Sequence, residues 1–167
     1  MNKVRLYRML TVLLVFALQV LMCNRIALWG YATPFLLMYL FLKIPSGVKL
    51  NMAMTFAFFT GLCVDIFTDT LGLYALASVT AVFPSRYLLA RVQYRERDED
   101  SFVPSCESLS WRGYIIYAIV LTAIFCTVLF CADSFSFFAP LVLAGRIGAS
   151  TLFTVLVVLG IEYLGKR

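Results

Sequence analysis

The sequence contains no histidine, and acidic and basic side chains together make up only 14% of it. Without histidine the chain lacks the commonest general base and the commonest metal ligand at neutral pH. It also lacks a G-x-S-x-G elbow, a phosphate-binding glycine loop and any pair of carboxylates within one apolar run. These absences disfavour an enzyme and imply no cofactor and no metal. The five cysteines, Cys23, Cys63, Cys106, Cys126 and Cys131, are odd in number and form no C-x-x-C pair. Four lie in apolar runs, where a thiol behaves as a small hydrophobe. Neither a disulfide framework nor a zinc site is suggested.

What the sequence has in excess is apolar surface. Hydrophobic residues make up 62% of the chain and the mean hydropathy is +0.91. An ordinary soluble domain is about 45–50% apolar, and here the excess runs along the whole chain. A hydrocarbon core needs about 20 apolar residues per helix, and the runs are of that length. They cover about Val4–Cys23, Ala27–Ile44, Leu50–Phe67, Leu71–Ala90, Tyr114–Ala132 and Phe138–Leu164. The expectation is a single domain over 1–167: an all-α membrane bundle of six helices with short connections. Pro34 and Pro84 are read as tolerated within the second and fourth helices. The first run follows Lys3, Arg5 and Arg8 but precedes no A-x-A site, so it is expected to stay as a membrane helix and not to be removed as a signal peptide.

Charge sets the orientation. Lys3, Arg5 and Arg8, then Lys43 and Lys49, then Arg86, Arg91, Arg95, Arg97 and Arg112, then Lys166 and Arg167 fall on alternate connections and the termini. That places 12 of the 14 basic residues on one side. The positive-inside rule then puts both termini in the cytoplasm of a bacterial inner-membrane protein. The net charge of +5 therefore reads as topology, and a nucleic-acid partner is not expected. The mixed-sign stretch Arg95–Asp100 reads as a solvated turn or a partner contact, and Trp111 as an interfacial anchor.

Few polar groups fall within the apolar runs, where a charge costs about 2.5–3.5 kcal/mol on insertion scales. Asp65 ends the third run, and Arg146 lies about two turns into the sixth. Either the two pair, or each snorkels to its own interface. Arg146, Ser150 and Thr154 recur at four-residue spacing and share one face, with Glu162 two turns on. Small residues offer close-packing faces: Gly72, Ala75, Ala77 and Ala81 on the fourth run, and Gly145, Gly148 and Ala149 on the sixth. These faces serve either internal packing or the docking of another membrane protein.

The segment Gly61-Leu-Cys-Val-Asp65-Ile-Phe, followed by Leu71-Gly72-Leu-Tyr-Ala75, resembles the rod-shape-determining MreD family, which carries a G-x-x-x-D helix end and a G-L/M-x-A helix start. The region from Ser134 through Arg146, Ser150 and Thr154 is also similar, as are the length, the span count and the long fourth loop. Tyr74 stands where many members carry histidine or asparagine. The resemblance implies a non-enzymatic scaffold of the cell-elongation machinery. Its partners would be a single-span MreC-like protein, the actin-like MreB, RodA and the elongation transpeptidase. It also implies a fold like the substrate-binding subunits of energy-coupling-factor vitamin transporters, and hence a second functional reading as such a subunit. The first helix lacks the A-x-x-x-A docking pair of those subunits, and the connection after Asp65 is short for a lid.

Overall fold

A computed structural model describes Ala17, Gln19 and residues 33–92, 103–105, 109–134 and 140–164. Among these residues the chain is helical and contains no strand. The helices are α1 (Leu37–Leu42), α2 (Leu50–Thr68), α3 (Leu73–Val82), α4 (Ser85–Val92), α5 (Trp111–Asp133) and α6 (Pro140–Leu164). Leu50–Thr68, Leu73–Val92, Trp111–Asp133 and Leu141–Tyr163 are four stretches long and apolar enough to cross a bilayer. The chain is thus a multi-pass membrane protein, helical throughout the spans described. The expected first helix, except Ala17 and Gln19, and the Arg95–Asp100 stretch lie outside the described residues.

At two prolines the described backbone departs from the continuous helix that hydropathy alone predicts. The expected helix over 27–44 is described as helix only from Leu37, and Thr33–Phe35 are not helical. Pro34 has no N–H and disfavours helical backbone at Thr33. The expected helix over 71–90 is two helices, separated by a turn at Phe83 and Pro84. Pro84 again removes one rung of the ladder. At that break the Ser85 hydroxyl donates to the Val82 carbonyl at 2.6 Å.

The packing follows membrane logic. The buried side of α2 carries Ala53, Ala57, Gly61 and Asp65 at four-residue spacing, with Val64. Its large side chains, Met52, Phe56, Phe59, Ile66 and Phe67, face outward. Helix α3 is likewise buried through Ala75, Ala77, Ser78, Ala81 and Val82. Small residues let two backbones come close, and in lipid that packing, not burial from water, holds helices together. Helix α5 supplies the bulk of the core through Tyr114, Tyr117, Leu121, Phe125, Cys126 and Leu129. It packs against α3, α4 and α6, and α1 touches both α5 and α6.

Candidate functional site

The G-x-x-x-D segment and the start of α3 form one unit. Helix α2 ends with Asp69 in the left-handed region (φ 58°, ψ 35°), a conformation asparagine and aspartate tolerate better than most residues. Gly72 then takes φ 78°, where glycine carries no steric penalty. That turn sends α3 back along α2. A Cβ on Gly61 would lie 2.7 Å from both the Ala75 Cα and the Tyr74 carbonyl oxygen. Only a glycine lets the two backbones approach this closely.

The reversal exposes the first amides of α3, and Gly72 at its N-cap has no side chain to hold them. Asp65 caps them from the neighbouring helix. Its Oδ1 accepts the Tyr74 N–H at 3.0 Å and the Thr70 hydroxyl at 2.6 Å, and its Oδ2 accepts the Ala75 N–H at 2.9 Å. Among the described residues these three groups are the hydrogen-bond partners of the Asp65 carboxylate, and Arg146 is not one of them. A carboxylate at a helix N-terminus also opposes the positive end of the helix dipole. Tyr74 takes part through its backbone, so the residue type at 74 does not decide whether the cap forms.

The polar stripe of α6 holds the non-helical segment before α1. The Ser150 Oγ accepts the Thr33 N–H at 3.2 Å, and the Thr154 Oγ1 accepts the Phe35 N–H at 3.1 Å. Gln19 Oε1 accepts the Leu37 N–H at 3.3 Å. Non-helical backbone at membrane depth is tolerated where protein groups satisfy it, and these three side chains do so. One face of α6 thus points inward at Ser150, Thr154 and Glu162, all buried. Glu162 bonds Lys43 just past α1, with Nζ 2.7 Å from Oε2 and 2.8 Å from Oε1. Sequence spacing grouped these α6 residues but did not reveal that Lys43, Thr33 and Phe35 receive them.

The non-helical segment also places the Phe35 ring. It lies edge-on to Phe125 at 5.2 Å and to Tyr74 and Phe130 at 6.2 Å each, a favoured aromatic geometry. Phe35 itself is 2% exposed, so this aromatic cluster is filled by the chain's own side chain.

The small-residue faces divide into two kinds. Ala75, Ala77 and Ala81 are buried in the bundle. Gly145 and Gly148 are exposed, and a Cβ on either would meet no atom of the described residues within 4 Å. Leu141, Leu152 and Leu156 share that exposure, and Arg146 beside them is half-buried. Ala53, Ala57 and Gln19 were not among the residues singled out in the sequence, and Lys43 was read only as a charge that sets topology. The four-residue spacing Ala53–Ala57–Gly61–Asp65 was the available signal for the first two.

Fold and site together define a multi-pass helical membrane protein whose polar groups tie one helix to the backbone of the next. Comparison with protein families, with characterised proteins and with solved structures finds no match to this chain.

Proposed function

We propose that this protein is a non-enzymatic scaffold of the bacterial cell-elongation machinery, of the MreD type, lying in the inner membrane with six spans and both termini in the cytoplasm. In this role it binds a single-span MreC-like partner within the membrane. Through that partner it works with MreB, RodA and the elongation transpeptidase to control cell shape and peptidoglycan synthesis.

The observation that carries this reading is the unity of the Gly61–Asp65–Gly72–Ala75 segment. The four residues that carry the resemblance meet in one place: a close approach at Gly61, a cap from Asp65, a reversal at Gly72 and a capped amide at Ala75. A motif that is a single geometric device is a stronger resemblance than four scattered matches. The polar side chains of the described site are occupied in holding backbone and neighbouring helices, which suits a scaffold. The Phe35-filled aromatic cluster supports the scaffold over the vitamin-transporter reading, because ring stacking there is already satisfied within the chain.

The open glycine face of α6 is the surface assigned to the partner. Gly148→Leu fills space that no described atom occupies, so the variant should insert and fold normally. It should co-purify with the single-span partner at a several-fold lower yield, and cells relying on it should lose rod shape. Full partner binding by Gly148→Leu would place the docking face elsewhere. A vitamin-like ligand retained at stoichiometric level by the purified protein would replace the scaffold reading with the transport one.

A further inference from the structure

One end of the bundle carries a cation for which the described chain supplies no acceptor. Helix α4 begins after the Pro84 break, and Phe83 just before that break recurs with Tyr87 and Arg91 of α4 at four-residue spacing. All three are exposed, and the Phe83 and Tyr87 rings lie 6.4 Å apart. Along this series the chemistry passes from an apolar ring, to a ring with a hydroxyl, to a guanidinium. That order matches a bilayer boundary, with aromatic residues at the interface and charge beyond it. The headgroup level therefore passes through Tyr87 and Arg91.

Arg86 adjoins Tyr87 and lies at the same depth, to within about 1.5 Å of helix rise. It is half-buried, and its Nη2 is out of solvent contact without a hydrogen-bond partner. A desolvated charged donor without an acceptor is costly. Two further arginines share this end of the bundle. The Val92 side chain reaches to 2.6 Å from where a Gly113 Cβ would be, which joins the end of α4 to the start of α5. Exposed Arg91 and Arg112 flank that contact. The described carboxylates offer no relief. Asp65 and Asp69 lie at the far end of the α2–α3 hairpin, and Asp133 lies at the far end of α5. Glu162 is committed to Lys43.

We propose that Arg86, with Arg91 and Arg112, binds the phosphate of an anionic phospholipid headgroup in the leaflet at this basic end. A guanidinium fork matches phosphate oxygens in a two-bond geometry that an ammonium cannot reproduce. Basic residues beside a membrane are drawn to anionic lipid, and the half-buried Arg86 gives that attraction one fixed position. The proposal depends on the bundle lying in a bilayer and not on which protein partner it holds.

The test is native mass spectrometry of the delipidated full chain titrated separately with phosphatidylglycerol, phosphatidylcholine and inorganic phosphate. Wild type should retain one phosphatidylglycerol at concentrations where phosphatidylcholine is not retained, and inorganic phosphate alone should not substitute. Arg86→Gln should weaken that retention by about tenfold, the loss of roughly one good ionic contact. Arg86→Lys should fall between the two. Lys49→Gln, which removes an exposed cation on the α1–α2 connection, should leave retention unchanged. Should Arg86→Gln fail to fold, Arg86→Lys and the Arg91→Gln/Arg112→Gln pair carry the test, each with weakened retention expected. Equal retention by wild type and these variants, equal retention of the two lipids, or equal binding of free phosphate would each overturn the proposal.

Discussion

The hydroxyl of Thr154 accepts the backbone N–H of Phe35 at 3.1 Å across 119 residues of chain. This bond satisfies the amide next to Pro34, in the non-helical stretch that precedes α1. Thr154→Val keeps the shape and removes the acceptor. It should destabilise the protein by about 1–3 kcal/mol, the cost of a buried unsatisfied amide. Thr154→Ser should recover most of that. Thermal unfolding in detergent, followed by circular dichroism, measures both; equal stability of the valine and serine variants would contradict the assignment.

Gly61→Ala puts a methyl group against backbone that has no rotamer to yield. The α2–α3 hairpin must open, at about 1–3 kcal/mol by analogy with overpacked cores. Asp65→Ala should cost at least as much, because the capped amides of Tyr74 and Ala75 lose their acceptors together. Asp65→Asn keeps one carbonyl oxygen and should lose less. The folded fraction recovered after detergent extraction reports the ranking, with alanine at 65 below asparagine.

Lys43 and Glu162 should behave as a coupled pair. The Lys43 side chain is 24% exposed and that of Glu162 is 7% exposed, so most of the penalty falls on a stranded carboxylate. Lys43→Met alone should therefore be more harmful than Lys43→Met combined with Glu162→Leu. A double-mutant cycle should give a coupling of about 1 kcal/mol or more, above the level of exposed pairs. Additive losses would show that the ion pair contributes nothing specific.

Ala77→Leu should separate packing from docking. Ala77 is fully buried, so leucine there should lower folded yield whether or not a partner is present. Gly148→Leu should spare folded yield. If Ala77→Leu instead leaves the yield intact and reduces partner binding alone, the α3 face is not internal.

Single cysteines placed in a cysteine-free background test the topology. A cysteine at 98 should resist a membrane-impermeant thiol reagent applied from outside, whereas one at 69 should react. Strong external labelling at 98 would contradict the six-span arrangement.

Hydropathy made the bulk of the fold legible, because length and apolarity suffice to outline α2, α5 and α6. The non-helical stretch at Pro34 and the break at Pro84 were not legible in the same way. Apolar side chains continue through both, and what changes is a missing N–H, to which hydropathy is blind. The cap on α3 had a readable outline in Gly61, Asp65, Gly72 and Ala75. Its acceptors' true partners did not, since a search for charge complements points Asp65 toward Arg146. The amides of Tyr74 and Ala75 are present at every residue and carry no side-chain signature. Lys43 and Glu162 read as a loop cation and a stripe member, and only the parallel packing of α6 alongside residues 33–43 makes them neighbours.

The Asp65 clasp bears on how the chain enters the membrane. Alone, α2 carries a carboxylate that has none of these donors, a burden for lateral release into lipid. The groups that satisfy it emerge from the ribosome only five to ten residues later, at Thr70, Tyr74 and Ala75. The two helices should therefore leave the insertion channel as a hairpin, and a nascent chain arrested before Ala75 should hold α2 at the channel until the next helix arrives.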